Sequence, residues 1–265
     1  MRLTVVALLL IGSAASAAEV LVVQRERRDS MKLFGPAVTQ EATETIYYSE
    51  NKVRTDTEGS SEYTVMDLTG GKEVLYEIDV KEKTYTKTDM AELRKAMEDA
   101  RKAIDARRKK LAEEAAAGGE ENPLAALSGV MGGGAPAPTG PVEVKKTSQT
   151  AKIAGYDALL VVFEQEGREA MHVWITDKVK APELPKDRLC GGSERIGGEL
   201  LKKRLELEGF ELGYWIDLGA VKVEATAKKV ERKNVPANFF DVPAGFREAK
   251  SEVGSGAPSA PPAKP

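Results

Sequence analysis

Alternation of apolar and polar residues at every second position is the feature that most constrains the fold of this chain. Val74, Tyr76 and Ile78 alternate with Glu73 and Glu77. The run at 221–228 repeats the pattern, with Val or Ala at each odd position and Lys, Glu or Thr at each even one. A strand with one apolar and one wetted face belongs to an antiparallel sheet that is covered on one side. We therefore expect a mainly antiparallel sheet.

Short polar turns separate the predicted strands. Asp67 and Asp79 each open a polar turn that ends in a lysine, Lys72 or Lys83. Asp side chains accept hydrogen bonds from turn backbone, and Gly supplies positive φ, so two successive hairpins are expected. Further strands are predicted at residues 19–24, 43–49, 52–57, 158–163, 171–176, 214–218 and 221–230. The run at 158–163 is wholly apolar, which predicts burial on both faces.

A change of period at residues 89–117 predicts one long helix. Asp89 and Glu92 are spaced as a capping box. Oppositely charged residues four apart indicate a solvated face rather than a nucleic-acid patch. An apolar stripe should pack this helix on the sheet; it comprises Met90, Leu93, Met97, Ala100, Ile104 and Leu111. A shorter helix is expected at 194–208.

The ends of the chain and one internal stretch differ from the rest. Residues 1–17 have the features of a cleavable signal peptide: Arg2, an apolar run at 3–11, then small residues. No Cys follows the cleavage site, so no lipid anchor is expected. No other segment approaches membrane-spanning length. We therefore expect a soluble, periplasmic protein. A single domain is predicted at 18–248, interrupted by a low-complexity insertion at 118–141. A disordered tail is predicted at 249–265.

The insertion at 118–141 has two interpretations. It is rich in Gly, Ala and Pro and holds one apolar island at 123–131. A disordered insertion is the favoured interpretation, and a mobile lid that touches an apolar ligand is the alternative.

Composition excludes several classes of site. The 39 Lys and Arg against 42 Asp and Glu provide no basic footprint for nucleic acid. The single His172 and single Cys190 exclude a multi-Cys/His zinc site and an internal disulfide. No phosphate-binding loop or calcium loop is present, and no cofactor or metal is predicted. The role of Cys190, which could be buried, paired between chains or reactive, stays open.

Five short phrases resemble a known superfamily in their order and spacing. They are Lys-Val-Arg at 52–54, Lys-Thr-Tyr at 83–85, Lys-Ile-Ala-Gly-Tyr at 152–156, Val-Trp-Ile-Thr-Asp at 173–177 and Val-Pro-Ala-Gly-Phe at 242–246. Together with the two Asp turns, they resemble the LolA-like periplasmic half-barrels, and within these a family of secreted proteins of unknown function. The resemblance implies an α+β fold in which a curved antiparallel sheet, a half-barrel, wraps around a long and a shorter helix. Members of this superfamily carry lipoprotein acyl chains, bind lipids or sense envelope stress.

The function expected from these features is non-catalytic binding of an apolar ligand in a half-barrel cavity. Residues that could line a cavity or simply fill a core are Val74, Tyr76, Ile78, Met171, Val173, Ile175, Val221 and Val223. The ligand would be a lipid or the acyl chain of an acylated protein, held by a monomer that contacts membranes transiently. The alternative is a protein-interaction module, an envelope sensor or assembly accessory, with a filled core. An enzyme is not predicted: its best anchor, His172 near Trp174 and Asp177, has no nucleophile placed beside it.

Overall fold

One sheet dominates the structure, a computed structural model that describes residues 17–32, 36–118, 140–184, 193–219 and 221–250. In these ranges the chain forms twelve strands and two α-helices. The strands are β1 Ala18–Met31, β2 Val38–Tyr48, β3 Lys52–Thr57, β4 Glu62–Asp67, β5 Val74–Asp79, β6 Thr84–Asp89, β7 Val142–Ile153, β8 Tyr156–Gln165, β9 Arg168–Thr176, β10 Phe210–Asp217, β11 Val221–Val235 and β12 Arg247–Glu248. The helices are α1 Met90–Gly118 and α2 Ser193–Leu205.

The order of strands is β12-β6-β5-β4-β3-β2-β1-β11-β10-β9-β8-β7. The chain runs outward from the central β1 to β6, crosses through α1 to the opposite edge at β7, and returns to β11 beside β1. Every neighbouring pair is antiparallel except β12 with β6, which is parallel. The predicted antiparallel sheet is therefore confirmed.

Local turn chemistry also follows the prediction. The Asp67 carboxylate accepts a hydrogen bond from the backbone N–H of Thr69 at 2.9 Å. The Asp79 carboxylate accepts two, from Lys81 at 2.8 Å and Glu82 at 3.0 Å. Both hairpins form as antiparallel pairs, β4 with β5 and β5 with β6.

Helix α1 agrees with the sequence prediction at its first turn but not in its packing. Its cap is as predicted, because the Asp89 carboxylate accepts hydrogen bonds from the backbone N–H groups of Ala91 and Glu92 at 2.9 and 3.2 Å. The predicted packing of α1 along the sheet is not confirmed: among the described residues its main contact is β6, the strand that leads into it. Met90 is buried and Leu93 half-buried, but Ala100 is already exposed. The side chains of Met97, Ile104 and Leu111 lie outside the described residues.

The physical reason is the small apolar area of α1. Between its buried first residue and residue 110, most described side chains are exposed, and nearly all of those are charged residues or alanines. Some pair along the helix itself, as Glu98 does with Lys102 at 2.9 Å. A sheet wrapped around both helices is therefore not confirmed; of the two described helices, α2 is the one with side chains in a core of the sheet.

Strands β7 to β11 curl strongly. β7 contacts β11, although β8, β9 and β10 lie between them in the sheet. Leu200 and Leu201 of α2 close a core over this part of the sheet, which otherwise comprises Val161, Phe163, Ala170, Met171, Val173 and Ile216. The predicted two-sided burial of 158–163 is largely confirmed, with only Leu159 half-buried.

The other strands are covered by the segment after β11. This aromatic cluster comprises the buried residues Val20, Val22, Tyr63, Val65, Ile78, Val235 and Phe240, with Tyr47, Tyr76, Tyr85, Phe239 and Phe246 packed against them. Arg54 fastens the segment. Its guanidinium lies 3.7 Å from the Tyr63 ring centroid and 4.3 Å from that of Phe239, and donates to the Phe239 carbonyl at 3.0 Å.

Several predictions fall on residues outside the described ranges. These are nearly all of the signal peptide at 1–17, most of the insertion at 118–141, the tail beyond residue 250, and Cys190.

Candidate functional site

The concave side of the curled strands holds a cavity of about 580 Å³ that is open to solvent. Tyr48 of β2 and Val173 of β9 both line it, although β1, β11 and β10 lie between those two strands in the sheet. Only a strongly curved sheet brings them to one space. Its described lining residues are Tyr48, Val173, Ile175, Val179, Lys180, Ala181, Pro182, Glu183, Leu184, Arg204, Leu205, Leu207, Gly209, Phe210 and Glu211.

Strands β9 and β10 form the floor of the cavity. Val173 is fully buried and Ile175 half-buried. Between α2 and β10, Gly209 adopts φ +101°, and a Cβ there would lie 3.0 Å from the Thr176 carbonyl oxygen. The chain can therefore turn sharply against β9 and set Phe210 at the start of β10.

The segment at 177–184 forms one wall. Val179 is buried at its base. Arg232 of β11 holds the segment by donating to the Lys180 carbonyl at 2.8 Å, and it also pairs with Glu19 at 3.2 Å. The apolar residues Ala181, Pro182 and Leu184 follow along the same wall.

The end of α2 forms the opposite wall, and a charged pair fixes it. Arg204 donates two hydrogen bonds to the Glu211 carboxylate, at 2.8 and 2.5 Å. Its guanidinium also lies 4.2 Å from the ring centroid of Tyr214. A planar, bidentate guanidinium stacked on a ring holds its position well, so Leu205 and Leu207 are presented to the cavity from a fixed helix end.

Tyr48 stands between the cavity and an adjoining recess of about 80 Å³. The two spaces share Tyr48, Phe210 and Glu211 as lining residues. The Tyr48 and Phe210 rings meet edge to face, with centroids 6.1 Å apart. Burial raises the pKa of Tyr48 to about 12, against the opposing effect of Arg25. The phenol is therefore a neutral hydrogen-bond donor at any physiological pH.

Charges beside the recess are paired. Arg25 donates to Glu44 at 2.7 Å and Arg27 donates to the same carboxylate at 3.3 Å. Glu44 is only 7% exposed. Burial lowers the pKa of Arg25, but Tyr214 and Glu44 outweigh this, so the pKa lies above its ordinary value. The recess therefore offers no unpaired charge among the described groups named here.

The arrangement suits binding rather than chemistry. Ligand sites of this size, mainly apolar with few polar groups, are typical of small-molecule pockets. Among the described residues, no group of three or more His, Cys, Asp or Glu is placed to hold a metal ion. In the same ranges, no helix combines the length and apolar character needed to cross a bilayer.

The eight residues predicted to line a cavity do not lie together; two of them line this cavity. Val173 and Ile175 line the cavity, whereas Met171, on the same strand, is fully buried in the core under α2. The residues of β5 lie elsewhere: Ile78 and Tyr76 belong to the aromatic cluster, and Val74 is buried. The remaining two, Val221 and Val223, are half-buried on β11 and are not among the described residues lining the cavity.

Most of the cavity wall could not be predicted from the sequence. Tyr48, Val179 and Phe210 were not singled out, because each comes from a strand end or an irregular segment where period gives no signal. The sequence predicted Leu207 at the end of the shorter helix and Gly209 just after it. Only this position at a helix end could have indicated that they line a site.

His172 lies on the other face of β9 from Val173. Its Nε2 is 2.9 Å from a Glu169 carboxylate oxygen, and its ring centroid is 5.0 Å from that of Trp215. These contacts give His172 a partner on the protein surface. The absence of enzymatic activity stays a prediction.

The fold and the site together define an α+β protein with one large antiparallel sheet and an apolar cavity on its concave side. No protein-family model matches the chain, and no curated protein does.

Three solved structures illustrate the weak likenesses found. An uncharacterized conserved protein from Thermus thermophilus has a TM-score of 0.40 and 9% identity, covering 87% of this chain and 89% of that one. PNGF-II has a TM-score of 0.37 and 14% identity over 89% of this chain, which spans 32% of PNGF-II. A putative outer membrane lipoprotein-sorting protein domain from Vibrio parahaemolyticus has a TM-score of 0.32 and 8% identity, covering 84% of this chain and 89% of that one. Scores this low assign this chain neither a family nor a function, and its place among the LolA-like proteins stays a prediction.

Proposed function

We propose that this protein binds a lipid acyl chain non-catalytically in the cavity beside the end of α2. The observation that carries the proposal is the cavity itself, about 580 Å³ with an apolar floor and two largely apolar walls. The cavity is open to solvent and its lining is mainly apolar. An apolar occupant would bury this surface, which is favourable in water.

The volume favours one acyl chain. At about 30 Å³ per water-sized group, 580 Å³ holds roughly 19 such groups, the size of a single long chain with its first polar atoms. Each methylene buried contributes about 0.8 kcal/mol, so affinity arises without any specific polar motif.

The remaining parts of the proposal concern location and partners. The sequence of residues 1–17 supports export to the periplasm, and the chain would act there as a monomer that takes lipid or acylated protein from a membrane. Met31 and Val38 pair across β1 and β2 and are 47% and 63% exposed, which suits transient contact with a bilayer. Nucleic acid is not an expected partner.

Native mass spectrometry of the protein purified from its own envelope, followed by solvent extraction, tests the proposal. We expect a stoichiometric single-chain lipid or acylated species. A bare polypeptide mass that stays unchanged on incubation with single-chain lipids would exclude the proposal. Crosslinking for a protein partner would then test the interaction-module alternative.

A matched pair of variants locates the ligand. Val179→Phe places a ring in the cavity wall and should abolish binding. Val144→Phe adds the same ring to β7 at a residue that is 38% exposed and is not among the described lining residues, and should leave binding unchanged. Equal loss in both variants would place the ligand elsewhere.

A further inference from the structure

Tyr48 is one of the polar groups that line the cavity, and its hydroxyl has no hydrogen-bond partner among the described residues. The hydroxyl oxygen retains accessible surface. Its ring is held in place by Phe210. An apolar ligand that fills the cavity would displace water from this hydroxyl, and a ligand acceptor placed beside it would restore the lost hydrogen bond.

The charges around Tyr48 restrict which acceptor fits. Arg25 is paired with Glu44, and Arg204 with Glu211. Lys180, a cation of the wall at 177–184, lines the cavity but not the recess. At the recess, an anionic headgroup would find each guanidinium already paired and would meet Glu211. A neutral carbonyl has no such penalty.

The dimensions restrict the headgroup further. The recess beside Tyr48 measures about 80 Å³, the volume of two or three waters at about 30 Å³ each. The apolar cavity of about 580 Å³ opens on the other side of the same residue. A ligand that fills both spaces has one long apolar chain and a small neutral polar head, with the carbonyl at their junction.

We propose that Tyr48 determines ligand class by donating a hydrogen bond to the carbonyl of a neutral single-chain acyl ester. The inference rests on the proposed function, since it assigns the ligand of the same cavity. Tyr48 acts as a specificity-determining residue and takes part in no bond-making step.

The test compares two ligands and two proteins. Methyl tetradecanoate and methyl tetradecyl ether have the same chain, but only the ester has a carbonyl. Dissociation constants are measured by displacement of a fluorescent apolar probe from the wild type and from Tyr48→Phe. We expect the variant to bind the ester about five- to tenfold more weakly and the ether equally well, the loss typical of one hydrogen bond. Tetradecanoate should bind the wild type more weakly than the ester.

Each contrary outcome has its own meaning. If the wild type binds both the ester and the ether but Tyr48→Phe weakens neither selectively, the role of Tyr48 is wrong and the cavity proposal stands. If the wild type binds neither ligand, both proposals fall. Tighter binding of tetradecanoate than of the ester, or of a tetradecanoyl-amide peptide than of the ester, overturns the assignment to a neutral ester. Because Tyr48→Phe keeps the ring, an unchanged urea unfolding midpoint confirms that the fold is intact.

Discussion

The aromatic cluster and the cavity are built on one sheet, yet one is filled and the other is not. In the aromatic cluster, Phe239 lies with its ring centroid 4.8 Å from that of Tyr47 and 5.3 Å from that of Phe240. In the cavity, the aliphatic lining residues are Val, Ile, Ala, Pro and Leu, and the two described rings, Tyr48 and Phe210, also line the adjoining recess. The contrast teaches that curvature alone does not leave space; the size of the covering side chains decides whether space remains.

The covering element of each region is, by contrast, held on the sheet in a similar way. Arg54 lies over Tyr63 and is bidentate to Asp56, at 2.7 and 3.1 Å. Arg204 lies over Tyr214 and is bidentate to Glu211. Each covering element is thus fixed by one stacked guanidinium, and the regions differ in what lies beneath it.

Deletion of one ring in each region should give the largest effect. Phe240→Ala empties a buried site in the aromatic cluster and should lower the free energy of unfolding by about 3–5 kcal/mol. Phe210→Ala enlarges a space that already exists and removes a half-buried ring, so about 1–2 kcal/mol is expected. Urea unfolding with unchanged m-values measures both. Equal losses would mean that the cavity region is as tightly packed as the aromatic cluster.

Replacement of a valine by phenylalanine should cost more stability in the aromatic cluster than in the cavity. Val65→Phe, at a position that is 1% exposed, overpacks the aromatic cluster and should destabilise by about 1–3 kcal/mol or more. Val179→Phe has free volume beside it and should cost less than about 1 kcal/mol. Thermal unfolding of the two variants measured side by side is sufficient. A larger loss for Val179→Phe would contradict the presence of usable space.

The pH dependence of stability above pH 9 should differ between Tyr48 at the cavity and Tyr63 in the aromatic cluster. An unfolded Tyr titrates near pH 10, and burial raises the pKa of Tyr48 to about 12. Between these values the folded chain keeps a proton that the unfolded chain has lost. Stability therefore falls as pH rises, by about 1.4 kcal/mol per pH unit, and Tyr48→Phe should remove this slope.

Tyr63→Phe provides the comparison in the aromatic cluster. Burial raises the pKa of Tyr63 too, but Arg54 over its ring acts in the opposite direction. A smaller change of slope is expected from Tyr63→Phe, measured as urea unfolding at several values of pH above 9. The interpretation of Tyr48 fails if both variants change the slope equally.

The smallest effects should come from the two arginine pairs. Double-mutant cycles on Arg54 with Asp56 and on Arg204 with Glu211 should each give a coupling energy of about 0.5–1 kcal/mol, since all four side chains are partly exposed. Ligand affinity should respond only to the Arg204 cycle, because that pair lines the cavity. A response to the Arg54 cycle would show that the two regions are coupled.

Features that depend on neighbours in the chain could be predicted from the sequence. Features that depend on contacts between distant segments could not. The Asp67 and Asp79 turns, the Asp89 cap and the bounds of β3 depend on neighbours in the chain, so they could be predicted. The packing of α1 could not, because a stripe of apolar residues identifies a face but not what meets it. Of the cavity, Val173 and Ile175 were predicted from their strand period. Tyr48 was not, since its place at the cavity depends on curvature accumulated over three intervening strands.

The central position of β1 also determines how the chain must assemble. Its first residues pair with the last residues of β11, as Ala18 does with Val235. Strands β1 to β6 can form in sequence through short hairpins, whereas the cavity-bearing strands join β1 only when β11 is available. Pairings between such distant residues require loop closure before they gain stability, which slows folding. Until nearly the whole chain is present, one side of β1 has no neighbour, so truncation within β11 would leave the middle of the sheet, rather than its end, as an aggregation-prone edge.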